Sequence, residues 1–242
     1  MPETPRNPGL PPPGDVPVWL FAIQSDAPLS AFEPMLDRTE LARAGSFSNA
    51  QAQSRFASCR STVKGILCSL TAQPPGLMHF REAPHGKPFI DSVYFNYANT
   101  KTHGALAVCT SADIGIDLED MSRRCNIRAL ARLFCPQERE QLERLDGEEL
   151  RRAFFTLWVR KEAVMKADGR GLLIGLGNIL ADVRAECESV CISSSGSPES
   201  LWRVPVRFFG NLALAVAVPK ARPDLRVLFP EKASGPGDFH HG

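Results

Sequence analysis

Between Ile114 and Asp120 the chain reads Ile-Gly-Ile-Asp-Leu-Glu-Asp, an apolar run with acids at alternate positions. Alternate side chains of a strand share a face, so Asp117 and Glu119 point one way while Ile116 and Leu118 supply a core face. Two carboxylates side by side repel unless a cation or an arginine offsets them. Hard oxygen ligands on an otherwise apolar strand suit Mg²⁺, which takes few protein carboxylates and adds water and substrate phosphates. The same pattern also describes a strand whose last residues emerge into water. A second stretch, 158–166, runs Trp-Val-Arg-Lys-Glu-Ala-Val-Met-Lys. In a helix Trp158, Glu162 and Lys166 lie on neighbouring turns of one side, with Lys161 one step round. Glu162 and Lys166 also suit a plain surface ion pair worth about a few tenths of a kcal/mol. That bland reading leaves Trp158 and the following Gly169-Arg170-Gly171-Leu172 unexplained.

Composition narrows the partners. The 242 residues carry a formal net charge of +1, with 43% hydrophobic and 23% charged residues. No global basic field exists to attract nucleic acid, and no reader motif for it occurs, so that class is disfavoured. The seven cysteines (Cys59, Cys68, Cys109, Cys125, Cys135, Cys187 and Cys191) include no Cys-x-x-Cys. A zinc site is therefore weakly supported, and free thiols in a reducing cytosol are the plain expectation. The start of the chain is proline-rich without a basic-then-apolar leader, and no stretch reaches the ~18 apolar residues of a membrane span. A cytoplasmic protein is expected.

The elements that must position these residues follow from periodicity. Strands are expected at 16–23, 77–81, 93–97, 105–109, 114–118, 179–184, 202–208 and 212–218, with 105–109 and 114–118 paired across 110–113. Helices are expected at 49–70, 126–134, 137–145 and 148–167, the last stopped by Asp168-Gly169-Arg170-Gly171. This order makes an α+β chain of two similar halves meeting near Ser111. The expected divisions are a flexible extension over 1–15, an N-terminal half over 16–111, a C-terminal half over 112–220 and a tail over 221–242.

Taken together, Gly115-Ile116-Asp117-Leu118-Glu119, a helical spacer, and Trp158-x-x-Lys161-Glu162-Ala163-x-x-Lys166-x-x-Gly169-x-Gly171-Leu172 form an ordered set. The set resembles the signature of 4′-phosphopantetheinyl transferases of the surfactin-synthetase-activating type, in the branch with Trp and Lys-Glu-Ala. Upstream, Gly86-Lys87-Pro88 resembles that family's first motif and Phe95-Asn96 begins its second, while Arg60 occupies the place of a coenzyme-binding arginine. The resemblance runs over about 16–218. One departure is plain: where the family has a hydrophobic residue and then Ser-His for the 3′-phosphate of coenzyme A, this chain has Tyr97-Ala98-Asn99-Thr100. Asn99 and Thr100 offer neutral hydrogen bonds in place of a charge, and His103 lies too far along to substitute.

The resemblance implies two halves in a pseudo-twofold arrangement and a holo-[acyl-carrier-protein] synthase activity. The phosphopantetheine arm of coenzyme A would pass to a serine of a carrier protein, and 3′,5′-ADP would leave. Asp117, Glu119 and Glu162 would surround Mg²⁺ on the pyrophosphate, with Glu162 as base and Lys166 on the phosphates. Arg60, Lys87, Pro88, Asn99, Thr100 and Lys161 would complete the coenzyme A contacts. Arg123, Arg124, Arg128 and Arg132 lie between the two motifs with no acid among them. Ile127, Leu130, Leu133 and Phe134 recur at helical spacing, so Arg128, Arg132 and Phe134 are candidate docking residues for an acidic carrier. A solvated arginine face explains the same residues. The carrier would belong to fatty-acid, polyketide or nonribosomal-peptide synthesis, and two halves in one chain imply a monomer. Two other readings use the same acids: another Mg²⁺-dependent enzyme cleaving a diphosphate, and a non-catalytic relative that only binds coenzyme A or a carrier. An unused set of converging carboxylates would cost stability, which weighs against the latter.

Overall fold

The computed structural model describes residues 9–83, 85–91, 93–194 and 197–233. In chain order the first elements are β1 (Asp15–Ala22), α1 (Arg38–Gly45), α2 (Ala50–Thr71), β2 (Arg81–Glu82), β3 (Pro88–Phe89), β4 (Tyr94–Asn99), β5 (His103–Cys109) and β6 (Gly115–Asp120). There follow α3 (Ile127–Leu130), α4 (Pro136–Glu143), α5 (Gly147–Asp168), β7 (Ile179–Leu180), β8 (Ser189–Ser194), β9 (Ser197–Arg203), β10 (Val206–Phe209), β11 (Leu212–Pro219) and β12 (Arg226–Leu228). The chain is α+β, as its pattern implies.

Strand alternation sorts the residues into layers. One sheet runs β12-β1-β5-β4, and a second runs β10-β11-β9-β8-β7 with β6 also paired to β11. Val16, Val18 and Leu20 of β1 face Ile116 and Leu118 of β6 and Leu214 and Val216 of β11 in one core. The other face of the first sheet, including Phe21, Phe95, Leu106 and Val108, is covered by Val63, Ile66 and Leu67 of α2. The other face of the second sheet is covered by α5. Each fully buried aliphatic side chain contributes roughly 1.5–3 kcal/mol, and a one-residue slip would turn a strand's whole set outward, so the register is firmly fixed.

The approach of α5 to its sheet is set by small residues. Ala213, Ala215 and Ala217 pair with Glu119, Asp117 and Gly115, and all face the helix. A Cβ at Gly115 would collide with the Ala163 carbonyl and the Ala167 amide. Glycine is therefore required there for the helix to lie this close to β6. The helix then ends at Gly169, whose φ of 85° is left-handed.

Several expectations need correcting. The expected β5–β6 pairing does not occur: both edges of β5 are taken by β1 and β4, and 110–113 crosses to the other sheet. The single strand expected at 202–208 is divided into β9 and β10 around Pro205, which has no amide to donate. Beyond Leu180 the expected strand gives way, because the buried Arg160 guanidinium draws in the carbonyls of Asp182 (2.7 Å), Arg184 (2.9 Å) and Ala185 (2.8 Å). The helix expected at 126–134 is a short α3 followed by one 3₁₀ turn. Residues 9–14, expected to be a free extension, lie against the fold: Leu10 packs on the α2 core and Ser111 Oγ donates to Pro13 O at 2.6 Å. The expected tail contributes β12, which pairs in parallel with β1. Residues 1–8 and 234–242 of those two segments lie outside the described residues. No helix among the described residues is long and apolar enough to cross a membrane, and all seven cysteines are free.

Candidate active site

Because Gly115 and the alanines of β11 admit α5 so closely, polar side chains of the helix meet those of the strand. Lys166 Nζ donates to Asp117 Oδ1 at 2.7 Å. Asp117 is only 6% exposed, and its Oδ2 is buried with no hydrogen-bond partner. Glu119 forms an ion pair with Arg123, 2.9 Å away. Glu162 stands half-buried beside them. Burial first, then the charges of Asp117 and Glu119, push its pKa up to about 7, with Lys166 pulling the other way. Burial and Asp117 likewise raise Glu119, and Arg123 and Trp158 partly offset them. Strand and helix residues far apart in sequence thus form one acidic cluster with two cations set into it.

The first half secures the backbone of β6. Asn96, 4% exposed on β4, accepts from the Ile116 amide at 3.0 Å through its Oδ1. Lys87 Nζ donates to the Ile114 carbonyl at 2.9 Å and pairs with Asp113. The upstream motif residues therefore hold the acid-bearing strand at its start and middle. Pro88, beside Lys87, begins β3. This use of Asn96 was not legible in the sequence, where it stood only as part of a motif. Arg60 lies on α2 with its guanidinium over Phe80 (4.8 Å), Tyr97 (5.4 Å) and Phe56 (5.7 Å). Its Nε is 3.6 Å from Glu40 Oε1, and both Nε and Nη1 are buried without a hydrogen-bond partner.

Two sequence expectations do not hold, those for Lys161 and Phe134, and two further groups are engaged by other partners within the chain. The cage of Asp117, Glu119 and Glu162 is not closed: among the described residues no group of three His, Cys, Asp or Glu is arranged to hold a metal ion. The protein's own Lys166 and Arg123 occupy Asp117 and Glu119 instead. Lys161, expected at coenzyme phosphates, is fully buried on another face of α5. It pairs with Glu138 Oε2 at 2.7 Å and donates to the carbonyls of Leu176 and Ile179. Phe134, expected at a docking surface, is 3% exposed and stacks on Phe154 at 5.6 Å, because the chain is extended there and turns it inward. Thr100 uses its hydroxyl within the β4–β5 turn, accepting from the Thr102 and His103 amides, while Asn99 is exposed and its amide donates to Thr100 O. Arg128 and Arg132 are exposed as expected. With Arg139 they border a hollow of about 260 Å³ whose apolar lining includes Ile127, Ala131, Leu142 and Leu150.

Hard carboxylate oxygens and an unpartnered buried Asp117 Oδ2 fit a small divalent cation. Fold and cluster together define a two-sheet α+β protein whose polar centre lies between a central strand and a long helix. A family model described as the 4′-phosphopantetheinyl transferase superfamily matches residues 113–217. A Synechocystis sp. relative, named provisionally as a 4′-phosphopantetheinyl transferase, is 34% identical over 172 residues, covering 68% of this chain and 69% of the relative. The 4′-phosphopantetheinyl transferase HetI of Nostoc sp. is 33% identical over 165 residues, covering 64% and 70%. The transferase Sfp of Bacillus subtilis is 25% identical over 154 residues, covering 62% and 68%. The chain belongs to the 4′-phosphopantetheinyl transferase superfamily.

Proposed function

We propose that this chain transfers the phosphopantetheine arm of coenzyme A to a serine hydroxyl of an apo carrier protein, as an enzyme of the surfactin-synthetase-activating type. The observation that carries this reading is the meeting of Asp117 from β6 with Glu162 and Lys166 from α5. Asp117, Glu119 and Glu162 would hold Mg²⁺. When bound, that ion offsets charge between nucleophile and diphosphate and on the departing 3′,5′-ADP. Glu162 accepts the proton of the carrier serine, directly or through a water. Lys166, already on Asp117, supplies a second positive charge to the phosphates. Arg60 offers two buried N–H groups without a hydrogen-bond partner, fitting a phosphate of the adenosine end, with Lys87 held at the start of β6 and Pro88 next to it in sequence. Asn99 remains a neutral donor at the 3′-phosphate end. Positioning and electrostatics carry most of phosphoryl transfer, which matches a site without a catalytic serine or cysteine.

Arg128, Arg132 and Arg139 around their apolar hollow suit the acidic face of a carrier. Carriers of fatty-acid, polyketide or nonribosomal-peptide synthesis are the substrate class, and the proposed enzyme acts as a cytoplasmic monomer. The two proposed halves are 16–111 and 112–220, with residues 9–14 and β12 of the expected extension and tail packed on the first. The test is intact mass of a panel of apo carriers after incubation with coenzyme A and Mg²⁺. A gain of one phosphopantetheine is expected. Carriers left unmodified while coenzyme A is hydrolysed would replace this reading with a diphosphate hydrolase.

A further inference from the structure

Arg123 lies outside the motifs and outside the transfer chemistry, yet it is bound into the acidic cluster from several sides. Its Nε lies 2.9 Å from Glu119 Oε2, an ion pair without an aligned hydrogen bond, since Nε has no partner in line. The guanidinium sits over the rings of Phe155 (5.2 Å) and Trp158 (5.8 Å). The backbone beneath is fixed as well. The Arg123 amide donates to Asp120 O at 3.1 Å, the Met121 amide donates to Asn211 O at 2.7 Å, and Arg151 donates to the carbonyls of Met121 and Arg123. Arg151 itself stacks on Phe155 at 5.5 Å. A planar guanidinium held by two rings and a braced turn is pre-organised, and it loses little freedom in forming this pair.

From this arrangement we infer that Arg123 is a built-in counter-ion for Glu119, a positioning residue that holds this carboxylate in place until a divalent cation competes for it. The inference rests on the reading that Asp117, Glu119 and Glu162 receive a cation. Lys166 pairs with Asp117 and Arg123 with Glu119, so each of these acids has a counter-ion of the chain's own. Without these cations the three acids would repel one another across a half-buried space. Cation binding then costs the separation or sharing of the Arg123–Glu119 pair, and the apparent affinity for metal falls by that amount.

The test measures Mn²⁺ binding by electron paramagnetic resonance, without coenzyme A, for the wild-type chain, Arg123→Gln and Arg123→Lys, each checked by thermal unfolding. Arg123→Gln is expected to bind Mn²⁺ about fivefold tighter than wild type, the scale set by a partly exposed ion pair of about 1 kcal/mol. Arg123→Lys keeps the charge without the planar stacking and is expected to fall between the two. In turnover, Arg123→Gln is expected to shift the Mg²⁺ activation constant more than the KM for coenzyme A. Equal or weaker Mn²⁺ binding by folded Arg123→Gln overturns the role of Arg123 alone. Wild-type protein that binds no Mn²⁺ overturns the cation reading together with it.

Discussion

Helices α2 and α5 invite comparison because each is 22 residues long, covers the outer face of a sheet, and hides a lysine at the same step along its length. Lys64 pairs with Glu40 at 3.0 Å and Lys161 with Glu138 at 2.7 Å, and both lysines are fully buried. In both cases the glutamate is also the third residue of a short preceding helix and closes its capping box. The two halves thus share a concealed charged device. They differ in what faces the long helix. The first sheet presents Phe21, Phe95 and Leu106 to α2, whereas the second presents Gly115, Ala213, Ala215 and Ala217 to α5. Bulky side chains hold α2 off its sheet, while small ones bring α5 near enough for Glu162 and Lys166 to join the acids of β6. The width of the contact decides which half carries the cluster.

The comparison can be broken most severely at the cluster. Glu162→Ala is expected to lower turnover by about 10²–10⁴, the usual range for a lost acid–base group. Asp117→Ala, which removes a proposed cation ligand, is expected to lower it by orders of magnitude, with melting temperature little changed in either. A Glu162→Ala enzyme with near-normal kcat places the base elsewhere. Lys161→Met tests the concealed device: leaving Glu138 charged and unpaired should cost about 3–5 kcal/mol in denaturant unfolding, and adding Glu138→Leu should restore much of it. If Lys161 instead served coenzyme A, its loss would raise KM without that cost. Gly115→Ala is expected to destabilise by about 1–3 kcal/mol through overpacking and to lower kcat by moving α5 from β6. The opposite sign is expected at Gly65 on α2. A Cβ there meets only Met35 Cε at 3.5 Å, so Gly65→Ala should stabilise by about 0.5–1 kcal/mol. Equal effects at the two glycines would remove the difference between the helices.

The smallest effect concerns α1 and depends on pH. Burial opposes ionisation of Asp37, but the Thr39 hydroxyl and the Glu40 amide outweigh it and hold the carboxyl well below its ordinary range. A carboxylate depressed in the fold adds stability above its unfolded pKa of about 3.8 and loses it as pH falls through the lower folded value. Asp37→Ala should therefore cost about 1 kcal/mol near neutrality, and the difference should shrink as unfolding is measured below about pH 4.

Much of the site was legible in the sequence because strand alternation and helical spacing are local. Period two put Asp117 and Glu119 opposite Ile116 and Leu118, and period 3.6 put Trp158, Glu162 and Lys166 on one side. The Asp37–Glu40 capping box was equally local, and its pattern of an acid three residues before a glutamate would have revealed α1. What depended on partners distant in the chain was not legible. Lys161 looked available because spacing does not say which of two adjacent faces a helix buries. Phe134 did so because the helix expected through it ends before it, where the extended chain turns the ring inward. Arg160, which reshapes 182–185, gave no local sign, nor did the pairing of Arg123 with the ring of Trp158. The partner of β6 was misassigned because nearness in sequence favours β5, whose edges were already occupied.

The most direct check of the strand-and-helix centre is anomalous diffraction from crystals grown with Mn²⁺ and coenzyme A. A single strong peak ligated by Asp117 and Glu162, next to the diphosphate, is the expected result. A diphosphate bound away from these two side chains, with no manganese between them, would contradict it.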